Sequence, residues 1–153
     1  MDQEIEKLLA ERACERVMLE YARCVDSGHA SEMADLFTDD GEWIGDDGRG
    51  MHGKEEIRAG FSARQALTRR QSRHVITNVL ITIGGPDSAS GIAYLINFRH
   101  DSQGPVADKP APADHPKFVG EYHLTFRRES GRWLIATLRF DLAFLRSRRS
   151  AGP

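Results

Sequence analysis

Two residue types in this sequence can run proton-transfer chemistry together. His74 carries an imidazole, which accepts and releases protons near neutral pH. Asp26 carries a carboxylate, which can fix the imidazole tautomer and stabilise the imidazolium that forms. In an apolar pocket such a pair is a general base. Tyr21, five residues before Asp26, would add a hydroxyl donor. Read from the residues alone, a hydrogen-bonded core histidine explains His74 equally well, since the two partners lie far apart in the chain.

Other catalytic signatures are missing. The sequence has no GxSxG elbow, no glycine-rich phosphate loop, no HExxH and no CxxC. Its six histidines do not fall at metal-ligand spacing. The acidic stretch FTDDGEWIGDDGRG lacks the alternating ligands and closing glutamate of a calcium loop and reads as turns. No metal and no cofactor is therefore expected.

Those side chains must be positioned by strands and a helix. His74 sits in SRHVITNVLITI (72–83), whose alternation suits a strand covered on both faces. Period 2 places Asn78 on the face of His74, about 14 Å further along. Asn78 then serves as a positioning group. Val75, Val79 and Ile81 would point the other way and form an apolar patch joining a homodimer, or a higher oligomer.

Asp26 ends a helix over 2–25, with an apolar stripe at Ile5, Leu9, Ala13, Val17 and Tyr21. A carboxylate is disfavoured at that end of the helix dipole, and such violations mark functional positions. Cys14 and Cys24 share the helix about 15 Å apart, which excludes a disulfide between them.

A short helix from Ser31 to Phe37, a short strand at 42–44 and a third helix from Gly53 to Ala66 follow. Strands are expected at 72–83, 89–100, 117–128 and 132–145. In the second of these the large residues Ile92, Tyr94, Ile96 and Phe98 share the even positions. Residues 101–116 carry four prolines and read as an irregular lid or arm. Helices first and antiparallel strands after make an α+β fold.

The bulk properties fit one domain over 1–146 and a basic tail at 147–153. The chain has 153 residues, 40% hydrophobic and 29% charged, with a formal net charge of -2. That balance gives no pull towards nucleic acid or membrane. The charged N-terminus lacks signal-peptide regions, so a cytoplasmic protein is expected.

The motifs LFTDDGEW (36–43), GMHGKEEI (50–57), SRHVITN (72–78) and GRW (131–133) resemble the SnoaL-like branch of the nuclear transport factor two-like superfamily. The resemblance covers roughly residues 5–145. It implies a cone: a curved antiparallel sheet wrapped around three helices, with an apolar cavity at its open end. Within that superfamily, Asp26 and His74 are similar in placement to the dyad of scytalone dehydratase and hexachlorocyclohexane dehydrochlorinase. This chain has Tyr21 where the dehydrochlorinase has lysine.

The resemblance implies a cofactor-independent lyase or isomerase that abstracts a proton from a small, apolar, carbonyl-bearing molecule. His74 would be the base, Asp26 its orienter and Tyr21 a donor, with Tyr94 and Tyr122 as further candidates to polarise the substrate. Trp43 and Phe98 would contribute to the ligand wall, and Arg139 would be an anion contact. The alternatives within the same fold are a ligand-binding or protein-interaction module and an oxygenase small subunit.

Overall fold

The computed structural model describes residues 1–104, 110–113 and 115–147. Helix α1 (Asp2–Asp26) is followed by a 3-10 helix (Ala30–Leu36), strands β1 (Phe37–Ile44) and β2 (Gly50–His52), and helix α2 (Lys54–Gln65). Four long strands complete the chain: β3 (Arg70–Gly85), β4 (Ser88–Asp101), β5 (Phe118–Glu129) and β6 (Arg132–Leu145). They form one curved six-stranded sheet in the order β2-β1-β6-β5-β4-β3. The helices pack against its concave face. The core holds Met33, Phe37, Ile57, Phe126, Ile135 and Leu138, all fully buried.

Three features depart from the sequence expectation. The sheet is mixed, because β1 runs parallel to β6 while the other pairs are antiparallel. Asp39-Asp40-Gly41 is not a turn before a short strand; it lies inside β1, at a shift in the β1–β6 register. Gly41 is suited to that place, since a Cβ there would meet the Thr38 carbonyl oxygen at 2.9 Å. The α1 stripe is buried only in its second half: Ile5, Leu8 and Leu9 are exposed, and tight packing begins near Cys14.

A fourth departure decides which residues face the interior. Asn78 adopts a left-handed φ of 52°, and the β3–β4 register shifts between Thr77 and Leu80. An extra residue in a ladder moves every later side chain to the opposite face. Before the bulge Ser72, His74 and Ile76 face inwards; after it Val79, Ile81 and Ile83 pack on the core. Asn78 itself is exposed and does not share the face of His74. Of the three residues expected outside, only Val75 is exposed; Val79 and Ile81 are inside.

In β4 the inward positions are the odd ones, Ala89, Ala93, Leu95 and Asn97. Side-chain size misleads here because the interior is already crowded. A Cβ at Gly91 would meet the Ile81 Cδ1 at 2.8 Å and the Phe126 ring at 3.1 Å. The large residues Tyr94 and Phe98 therefore lie on the convex face, about two-fifths exposed. Of the expected lid, residues 105–109 and 114 lie outside the described residues, as do residues 148–153 of the basic tail.

Candidate functional site

A cavity of about 480 Å³ opens between the helices and the concave sheet face. Its apolar wall is mostly aromatic. Tyr21 packs edge-on against Tyr122 (5.9 Å, 86°) and Phe61 (6.2 Å, 73°). Trp43 meets Phe61 and Tyr122 meets Phe140 in the same manner, and Phe140 packs tilted on Phe118. Each such pair adds about 0.5–1.5 kcal/mol beyond area burial, so the wall is stiff.

The polar wall is built from β3 and the last residue of α1. Asp26 accepts three hydrogen bonds: from Ser72 Oγ (2.8 Å), from the backbone N–H of His74 (2.6 Å) and from His74 Nδ1 (2.7 Å). Burial opposes the Asp26 charge, but these bonds and the imidazole beside it outweigh burial and lower its pKa below the usual carboxylate range. Both side chains of the pair are 12% exposed. With Nδ1 engaged by the carboxylate, Nε2 is the ring nitrogen left for a ligand. Ser72 in turn accepts a hydrogen bond from Arg64 Nη2 (2.9 Å), which ties α2 to the same network.

Two phenols stand on the aromatic side. Trp43 Nε1–H donates to the Tyr21 hydroxyl at 2.9 Å, and the Tyr122 ring stands edge-on to Tyr21, close enough for each phenol to shift the pKa of the other. Burial raises both pKa values, that of Tyr21 to about 12, so both are neutral phenols. The Tyr21 oxygen accepts from Trp43, so its own proton remains for a ligand.

The cavity gathers Tyr21, Trp43, His74 and Tyr122 of the expected residues, with Asp26 directly behind the imidazole. It does not gather Asn78, Tyr94 or Phe98, for the reasons of parity above. Arg139 is also outside: Leu138 and Phe140 are the buried neighbours, and Arg139 Nη2 pairs with Asp141 Oδ2 (2.9 Å) on the outer face. Sequence reasoning missed Asn97, Ser72, Arg64 and Arg99, which line the polar end. Asn97 alone carried a signal, an amide within the apolar run IAYLINF.

Among the described residues no three His, Cys, Asp or Glu side chains come together as metal ligands. Among the same residues no helix is long and apolar enough to cross a membrane.

Comparison with known proteins gives one family. The model of the SnoaL-like domain matches residues 6–139. No curated protein matches. Among solved structures, a "putative scytalone dehydratase" from Novosphingobium aromaticivorans is 20% identical, with a TM-score of 0.79 over 98% of this chain and 96% of that one. From the same organism, an NTF2-like protein with a cystatin-like fold is 22% identical (TM-score 0.73; 89% and 84% covered). A "putative aromatic ring hydroxylase" is 24% identical (TM-score 0.70; 88% and 89% covered). These likenesses establish the fold.

Proposed function

Because the chain belongs to the SnoaL-like domain family, we propose that its cavity is the site of a cofactor-independent lyase or isomerase. The ligand is a small, largely apolar molecule carrying a carbonyl group. The observation that carries this reading is the three-point seating of Asp26 against Ser72 and His74, with the imidazole at the cavity wall.

His74 Nε2 takes a proton from the carbon next to the carbonyl. Asp26 stabilises the resulting imidazolium, and the phenol proton of Tyr21 hydrogen-bonds the oxygen on which enolate charge develops. In an elimination the electron pair of the broken C–H bond forms the C=C bond. The C–O bond to a β-hydroxyl then breaks, and the imidazolium proton leaves with that oxygen as water. In an isomerisation the same proton returns to a different carbon. The scytalone dehydratase name of one structural neighbour agrees with the first course.

The test uses 2-tetralone, an apolar ketone with acidic α-protons, in D2O with exchange followed by NMR. Wild type should accelerate exchange, and His74→Ala should slow it by about 10²–10⁴-fold, the usual contribution of general-base catalysis. Equal exchange rates in wild type and a folded His74→Ala variant would end the proposal.

A further inference from the structure

The polar end of the cavity has more recognition chemistry than proton transfer requires. Ser72 pairs with Arg99, and His74 with Asn97, in alternate positions of the β3–β4 ladder, on one face. These four inward side chains form a two-by-two patch, roughly 7 Å long on each strand. Asn97 is 1% exposed, and its Oδ1 has no hydrogen-bond partner. A buried amide atom left so costs about 1–3 kcal/mol, and a bound group would relieve that cost. Turned by half a rotation, the same amide offers its NH2 to the cavity instead.

Charge around the patch is unbalanced. Both oxygens of Asp101 are already taken, by Arg70 (2.6 and 3.2 Å) and by Arg99 (3.2 Å). Arg64 is half-buried and lines the cavity, and its hydrogen bond goes to the neutral Ser72 hydroxyl. Among the described residues no carboxylate lies within ion-pair distance of it. Burial disfavours the charge on both Arg64 and Arg99, and the nearby Arg70 disfavours it further; Asp26 and Asp101 for Arg64, and Asp101 for Arg99, offset this only in part, so both pKa values stay lowered. A half-buried cation that is only partly balanced is costly, and an anion supplied by a ligand reduces the cost.

We propose that the cavity selects apolar carboxylates, with the carboxylate seated on Arg64 and Arg99 beside Asn97 and the apolar body against the aromatic wall. This rests on the reading of the cavity as the ligand site, but not on proton transfer by His74.

The experiment is calorimetric titration of the full chain with two probes of like size, 2-naphthoate and neutral 2-naphthalenemethanol. The naphthoate should bind roughly ten- to hundredfold more tightly, the range of a hydrogen bond to a charged group. Arg64→Gln and Arg99→Gln should each remove most of that preference, with circular dichroism unchanged. Arg64→Lys should restore part of what Arg64→Gln loses. Arg139→Gln, on the outer sheet face, should keep the preference, which separates a seated anion from general charge.

Equal affinity for the two probes would overturn the proposal and leave the cavity reading standing. Tight naphthoate binding indifferent to both glutamine variants would also overturn it, by placing the anion elsewhere. Failure of both probes to bind would remove the cavity reading and the proposal together.

Discussion

Asp26 holds both the backbone N–H and the ring Nδ1 of a single residue, His74. The two bonds fix the imidazole relative to its own strand, so the ring cannot turn without losing one of them. Asp26→Asn keeps the shape but cannot accept from both groups while balancing an imidazolium. Turnover should fall by about 10²-fold or more while ligand affinity changes little. A matching rise in the Michaelis constant, with turnover unchanged, would show that Asp26 serves binding instead.

The same carboxylate sets the acid limb of stability. Its folded pKa is lowered, so its contribution is complete above the unfolded value of about 3.9 and is lost as pH falls through the folded value. The melting-temperature gap between wild type and Asp26→Asn should be constant from about pH 5 upwards and close below about pH 4. A gap that widens on acidification would contradict the sign.

The phenol pair gives an ordered comparison. Tyr21→Phe leaves the Trp43 N–H without its acceptor and should cost about 1–3 kcal/mol in urea unfolding. Tyr122→Phe leaves Tyr21 still bonded to Trp43, with its own proton free for the ligand, and should cost less. Its rate should also stay closer to wild type. The reverse order would mean that Tyr122 carries the ligand contact.

Asn78 tests the bulge. At a φ of 52°, Asn78→Gly should stay within about 0.5 kcal/mol of wild type. Asn78→Val should lose about 1–2 kcal/mol, because a β-branched residue is strained there. Equal stability of the two variants would argue against the left-handed conformation.

The convex sheet face should join two copies of the chain. Val75, Tyr94 and Phe98 are 43%, 45% and 41% exposed there and lie on neighbouring strands. Light scattering at micromolar concentration should give a dimer, and Tyr94→Glu should give a folded monomer. A monomeric wild type would leave this patch without its expected role.

Much of this arrangement is legible from residues and much is not. The helix ending at Asp26 and the strand around His74 follow from periodicity. The family resemblance, which the SnoaL-like match bears out, suggests pairing the two residues. Parity was the weak link. In β3 a single left-handed asparagine reverses the alternation, and nothing in a run of β-branched residues marks where that occurs. In β4 both faces are apolar, so bulk pointed to Tyr94 and Phe98 while the crowded interior admits Ala93 and Asn97. Arg64 carries no signal, since an exposed arginine near a helix end looks the same as one turned into a cavity.

The bulge at Asn78 also divides one strand between two tasks. Upstream of it, Ser72 and His74 face inwards at the ligand end, where a change alters recognition more than packing. Downstream, Val79, Ile81 and Ile83 are interior filling, where a change alters folding and leaves the ligand untouched. Specificity and stability can therefore drift separately along sixteen contiguous residues. Retargeting the cavity by mutating the first half of β3 should not require compensating changes in the second.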